Sequence, residues 1–413
     1  MNVTSKTVSE AYMPNPQHFA PTCLVVFFSF FAMNANAGVD PLPPMLNLVE
    51  TGVDPSKIDY DALPTLAGSH AVVSQSDAEW KFRLHNYLVH HDGKYWCMWS
   101  HGPVIEDNPT QHVRYATSDD GIHWSNPLEI MPPSPEKGFR YIARGFWLRD
   151  GQLLALASHD EAFNDEGKVH FFGKSLELLA WQWERRSRRW RPLGPVFPDC
   201  INNYPPERLS DGTWGMICRD HRRRVFLLTG GVDDPHTWRS IPVVDYVSPD
   251  GFRAEEPTWW LLPNRRLLGL FRDNSKSGRL YRALSQDHGQ TWTKPEKTNF
   301  PDATSKFFGI RTSRGQYVLI SNTNPQRRNP LCLSLSKDGI TFTHMGRLPV
   351  PSLQDQTATD AHSHYASAKY DSLQYPHAIE NNGSLWIAFS RRKQSIEVVK
   401  VPLAELDKLT TGQ

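Results

Sequence analysis

Asp92-Gly93-Lys94-Tyr95-Trp96-Cys97-Met98-Trp99-Ser100 sets a polar two-residue turn before an apolar run, and the chain repeats that phrase five more times. The copies are Asp150-Gly151 before QLLALAS, Asp211-Gly212 before TWGMICR, Asn264-Arg265 before RLLGLFR, Arg314-Gly315 before QYVLISN and Asn382-Gly383 before SLWIAFS. The second turn residues stand at 93, 151, 212, 265, 315 and 383, so every step falls between 50 and 68 residues. Asp-Gly and Asn-Gly between apolar stretches mark tight hairpins. A period of this size built from strands points to a propeller with one sheet per repeat. The expected fold is all-β, with six blades of four antiparallel strands.

In a hairpin, the start of the first strand and the end of the second lie together, away from the turn. Upstream of the turns stand Arg83 and His85, Arg144, Tyr204, Glu256, Lys306 and Tyr375; downstream stand His101, His159, Arg219, Arg272, Asn322 and Arg391. Six hairpins around one axis would gather these polar residues on one face. That face is where function is expected.

A second repeat supports the first. Ser285-Gln286-Asp287-His288-Gly289-Gln290-Thr291-Trp292 fits S-x-D-x-G-x-T-W. Ser118 to Trp124 and Ser336 to Phe342 are contracted forms, and Asp233 to Trp238 is a degenerate one. Asp and Ser lock the turn by bonding backbone amides, Gly takes the tight angle and the aromatic buries beneath. These motifs should join outer strands and carry no chemistry.

A hydrophobic fraction of 39% suits a globular chain. The net charge of +1 implies neither a nucleic-acid nor a membrane-surface partner. Leu24 to Met33 is apolar but too short to span a bilayer. Ala35-Asn36-Ala37 follows as a small-x-small cleavage site, so residues 1–37 read as a signal peptide of a secreted or periplasmic protein, without membrane insertion. Residues 38–79 read as a Pro-rich segment packing outside the blades, 80–402 as the propeller, and 403–413 as a tail with one short helical turn. Cys97, Cys200, Cys218 and Cys332 would remain after cleavage, as buried thiols or as bridges. No CxxC or HxxxH spacing suggests a metal, and no cofactor is expected.

From about residue 80 to 400 the chain resembles the sialidase superfamily of six-bladed propellers. Phe82-Arg83-Leu84-His85 resembles its F/Y-R-I-P motif, which makes Arg83 the first of three arginines holding a substrate carboxylate. Glu256 and Arg272, sixteen positions apart, match the family's paired Glu and second Arg. Arg328 resembles the third, with Arg327 adjacent to it. Tyr375 falls where the family has its nucleophilic Tyr, with Tyr365 and Tyr370 as competitors. Asp107 lies where the acid/base Asp sits, beside its rival Glu106. The resemblance implies an acidic glycan or polysaccharide as partner and retaining hydrolysis of a terminal α-keto acid sugar. An anomeric carbon bearing a carboxylate repels a carboxylate nucleophile, so a Tyr activated by Glu attacks instead. Guanidinium groups fit the carboxylate, and Asp transfers the proton.

His85-Asn86 departs from the family's Ile-Pro. His85 or His101 with Tyr204, and Arg219 or Arg272, would also suit a propeller lyase that takes the C5 proton of a uronate. A glycan-binding propeller without turnover is the third reading, which the density of titratable groups on one rim disfavours.

Overall fold

The computed structural model describes residues 41–48, 51–104, 106–163, 168, 172–245, 250–353 and 370–411. The expected leader at 1–37 and Tyr365 lie outside the described residues. The first strand, β1 (Ser69–Ser74), precedes six blades. Blade 1 holds β2 (Phe82–His91), β3 (Lys94–Gly102), β4 (His112–Ser118) and β5 (Leu128–Met131). Blade 2 holds β6 (Phe139–Arg149), β7 (Gln152–Glu161), β8 (Glu177–Glu184) and β9 (Arg189–Pro198). In blade 3 the innermost strand is broken into β10 (Ile201–Asn202) and β11 (Glu207–Arg208). Both pair with β12 (Trp214–Arg219), followed by β13 (Val225–Gly230) and β14 (Trp238–Val244). Pro205-Pro206 falls in the break, where a ladder donor would be missing. Blade 4 holds β15 (Ala254–Leu261), β16 (Leu267–Asp273), β17 (Arg279–Ser285) and β18 (Glu296–Pro301). Blade 5 holds β19 (Phe308–Arg311), β20 (Tyr317–Ser321), β21 (Cys332–Ser336) and β22 (His344–Arg347). Blade 6 holds β23 (Leu373–Asn381), β24 (Ser384–Arg391) and β25 (Ser395–Pro402). The chain is therefore the six-bladed, antiparallel all-β propeller that its repeats predict.

Blade 6 takes β1 as its fourth strand, with Ser69 opposite Lys400 and Ser74 opposite Ile396. The propeller thus begins at Ser69, ahead of the boundary at 80 read from the sequence. Further upstream, Leu46 bridges Phe342 and Thr65 bridges Arg347, along the outer part of blade 5. At the other end, α1 (Leu403–Thr411) is longer than the single turn expected, because Leu403 and Leu406 bury on one side of it.

The Asp-Gly and Asn-Gly hairpins work as their sequences dictate. Asp92 and Gly93 both have positive φ, 52° and 72°, the turn whose twist matches the flanking strands. The second repeat joins third to fourth strands. In blade 4, Ser285 Oγ donates to Asp287 (2.9 Å), Asp287 accepts the Thr291 amide (2.8 Å), and Trp292 Nε1 donates to the Gly289 carbonyl (3.2 Å). These motifs also bring blades together. A Cβ at Gly121 would sit 2.2 Å from the Trp386 ring of blade 6, and one at Gly289 would sit 2.5 Å from Leu227 of blade 3. Only glycine allows so close an approach. All four cysteines among the described residues are buried free thiols, the first of the two states read from the sequence.

Candidate active site

An inner strand that alternates regularly sends its side chains to the blades on either side, not into the axis. Four inner strands break the alternation. Register shifts fall between Leu84 and Tyr87, Ala143 and Gly145, Glu255 and Thr258, and Gln374 and His377. His85, Glu256 and Tyr375 lie within three of these bulges, at φ of 52°, 45° and 59°. A bulge with a left-handed residue re-aims one side chain, here into the mouth of the axial channel. Left-handed backbone at a residue with a side chain costs about 1–3 kcal/mol, so the surroundings must hold it. Asn86 Nδ2 donates to the Tyr375 carbonyl at 3.1 Å, and Asn203 Nδ2 donates to the Pro257 carbonyl at 3.2 Å. Pro257 and Pro376 follow two of the bulged residues and have no amide to leave unpaired.

The cavity so formed has a volume of about 310 Å³. His85, Asp107, Arg219, Glu256, Arg272, Arg328 and Tyr375, all read from the sequence as site residues, line it. Tyr375 and Glu256 are hydrogen-bonded through their side chains, and Glu256 is also paired with Arg272. Arg272 Nη2 donates to Asn274 Oδ1 at 2.7 Å, Asn274 Nδ2 donates to Glu255 at 3.2 Å, and Glu255 pairs with Arg219. Burial works to raise the Glu256 carboxyl, but the charges of Arg272 and Lys306 outweigh it and hold it below its ordinary value. Burial and the Glu256 charge push the Tyr375 hydroxyl well above its ordinary value, so it is a neutral phenol donating to a carboxylate. Arg328 has uncharged partners, the Gln374 side chain at 2.6 Å and the Thr304 carbonyl at 2.7 Å. The Tyr370 hydroxyl accepts the Arg328 amide at 2.9 Å and therefore positions that loop.

Asp107 is paired with Arg140, which Asp160 holds from the other side at 3.0 Å. Burial raises the Asp107 carboxyl above its ordinary value against the pull of Arg140, and the neighbouring Glu106 charge adds to the rise. Glu106 is paired with Lys393 and lies 3.4 Å from His85 Nε2. Burial, with the Arg144 and Lys306 charges next in weight, drives the His85 pKa well below its ordinary value, so the imidazole is neutral.

Three site residues read from the sequence lie elsewhere. Arg83 turns toward the closing strand, with Nε donating to Ser74 Oγ at 2.9 Å and Nη1 to the Trp80 carbonyl at 2.5 Å. His85 lines the cavity in its stead. His101 is buried and stacks on Trp80 at 5.0 Å. Tyr204 packs on Phe308 at 4.7 Å in the core, with its hydroxyl on the Phe307 carbonyl. Of the wider polar set, Arg144 lines the cavity and Lys306 is buried, its Nζ 5.7 Å from the centre of the Tyr375 ring. His159, Asn322 and Arg391 hold strand ends together. Asn203, Glu255, Asn274 and Lys393 line the site without having been read from the sequence. Asn274 lies two positions beyond Arg272 on the same strand exit, which was its only signal.

The buried histidines carry a consequence for stability. His377 Nδ1 accepts the Leu88 amide at 3.1 Å, and burial with the Lys306 charge lowers its pKa to about 3. Burial, aided by Arg83, lowers His101 to about 2; neither of its ring nitrogens has a hydrogen-bond partner among the described residues. Both are neutral when folded, whereas unfolded histidine takes up a proton below about 6.5. Between pH 6.5 and about 3 the unfolded chain therefore binds more protons. Stability should fall as pH drops through that window, by about 1.4 kcal/mol per pH unit for each histidine. Denaturant midpoints measured from pH 7 to 4 check this. His377→Gln should flatten the dependence, and an unchanged slope in that variant counts against it.

A BNR repeat-like domain model matches residues 196–387. No curated protein matches the chain. Among solved structures it is similar to a sialidase at 17% identity and a TM-score of 0.58, covering 83% of this chain and 33% of that one. It is also similar to a protein of unknown function from Dyadobacter fermentans, at 14% identity and a TM-score of 0.61, covering 82% and 98%. A third is Trypanosoma rangeli sialidase in complex with sialic acid, at 15% identity and a TM-score of 0.60, covering 84% and 61%. The chain thus spans a third of the first and under two thirds of the last. At such identities the likeness is one of fold. The chain is a six-bladed β-propeller whose residues 196–387 match a BNR repeat-like domain model, and its fold is similar to that of the sialidases.

Proposed function

We propose that the protein is an exported, retaining exo-glycosidase that removes a terminal sialic-acid-type sugar from acidic glycans. One observation carries the reading: a buried neutral Tyr375 hydrogen-bonded to ionised Glu256, in a cavity that also presents Arg272 and Arg328. Arg272 and Arg328 bind the carboxylate on the anomeric carbon. The Tyr375 oxygen attacks that carbon as Glu256 takes the phenolic proton, and the glycosidic bond breaks. Asp107, protonated at first, gives its proton to the leaving oxygen. It later takes one from the water that cleaves the Tyr375–sugar bond, and Glu256 returns the phenolic proton to the departing tyrosinate. The likeness to a sialidase bound to sialic acid supports this reading. With Arg83 turned away, two arginines hold the carboxylate, not three.

The lyase alternative rested on His85 or His101 with Tyr204. Only His85 of these lines the cavity, which weakens it. Product analysis on a panel of acidic glycans separates the two: free acidic sugar is expected, and an absorbing unsaturated uronate overturns the hydrolase. In the same assay kcat/KM should fall as pH rises through the elevated Asp107 pKa, because the acid form is the one consumed. Asp107→Asn cannot ionise, so that alkaline limb should vanish. Its rate should drop by about 10²–10⁴-fold on natural glycosides and by less where the leaving group needs no proton.

A further inference from the structure

Most charges lining the cavity are matched: Arg272 with Glu256, Arg219 with Glu255, Lys393 with Glu106. Arg144 is not. It is 5% exposed and lines the cavity, yet its partners are the Ser158 hydroxyl at 2.9 Å and the Tyr87 hydroxyl. No carboxylate lies within ion-pair distance of it among the described residues. Glu256 and Asp160, the acids that act on it from further off, are already engaged by Arg272 and Arg140. On the same wall Arg219 stacks on Phe172 at 4.6 Å, and Arg223 reaches Glu255 at 3.8 Å. Arg219 and Arg223 therefore both turn to Glu255, and neither brings a carboxylate to Arg144 among the described residues. A buried cation without a counter-charge is costly unless an anion arrives to pair with it.

Arg144 belongs to blade 2, and Arg328 to the loop between β20 and β21 of blade 5. Those blades face each other across a six-membered ring. The geometry points to a second anion subsite at Arg144 and Arg219, opposite Arg328, which takes a second anionic oxygen group on the same sugar: a sulfate ester, a phosphate ester or a carboxylate. The preferred substrate is then a doubly charged acidic sugar. This rests on reading Arg272 and Arg328 as the site of the first carboxylate.

Calorimetric titration tests it without turnover. The probes are sialic acid, its O-sulfate and O-phosphate esters on the exocyclic chain, and a sugar acid with a second carboxylate there. At least one dianion should bind about tenfold or more tightly than sialic acid; which one does so names the group. Arg144→Gln should bring that ratio toward one, whereas Arg144→Lys, which keeps the charge, should retain much of it. Equal binding of mono- and dianions by the wild type, or a ratio unmoved in Arg144→Gln, overturns the subsite. If no sugar acid binds, the glycosidase reading fails, and inorganic sulfate and phosphate decide the subsite alone. Binding lost in Arg144→Gln but kept in Arg328→Gln upholds it; no binding, or loss in Arg328→Gln only, removes it.

Discussion

Tyr375→Phe should stop glycoside turnover, by on the order of 10⁴-fold or more, and leave the fold in place. The substitution removes one hydroxyl from a residue 7% exposed. Glu256 loses a donor but keeps its ion pair with Arg272, so unfolding midpoints should move little. In the wild type, a fluorinated sialic-acid probe that traps the glycosyl-enzyme should attach covalently to Tyr375, visible as a mass increase on its peptide. An active Tyr375→Phe enzyme, or a label on another residue, removes Tyr375 as nucleophile. If that active variant also yields an unsaturated uronate, the elimination chemistry is correct.

Arg272→Ala should be the most damaging of the arginine substitutions. In the proposed mechanism Arg272 does two things at once: it binds the substrate carboxylate, and its charge is the largest influence keeping the buried Glu256 ionised. Removing it strands a carboxylate whose side chain is 14% exposed. Breaking a buried pair in this way costs about 3–5 kcal/mol of stability. Glu256 should then bind a proton more readily and fail as a base, on top of the lost contact. Among the described residues Arg328 has only uncharged partners, so Arg328→Ala should reduce kcat/KM, by about 2–5 kcal/mol of transition-state binding, with a smaller loss of stability. Replacing Glu256 with Gln alongside Arg272→Ala should recover part of the stability but none of the activity. Urea denaturation and kcat/KM on the single and double variants decide the matter; equal stability losses in the two arginine variants would defeat the argument.

The blades were legible because each hairpin writes its turn and its apolar run in contiguous residues. Glu256 and Arg272 were legible for the same reason: the offset from the turn locates both ends of one hairpin. Offset counting assumes strict alternation, and the bulges break it. Arg83 and His85, two apart, share a face of a regular strand, but the register shift after Leu84 sends His85 inward and leaves Arg83 to the closing strand. That strand lies in the segment read as a Pro-rich addition, so the partner of Arg83 could not be seen. Tyr204 failed for another reason: Pro205-Pro206 breaks its strand, and an offset has no meaning without a strand. The prolines at 257 and 376 were the available sign of bulges, since a proline inside an apolar strand seldom sits in a regular ladder. Lys393 lies in a turn beyond β24, outside any offset, and only the folded chain brings it to Glu106.

Closure by β1 also sets the order of events in folding. Blades 1 to 5 each assemble from contiguous chain, but blade 6 must join segments from opposite ends of the sequence. So distant a pairing comes late, because the entropy of closing the intervening chain is lost before its contacts form. Until then β25 offers a bare edge, a template for pairing with other chains. Blades 1 and 6, the first and last in the chain, also meet at the cavity, with His85 and Glu106 from the one and Tyr375 and Lys393 from the other. The lining of the candidate site is therefore complete only when both ends of the chain have come together.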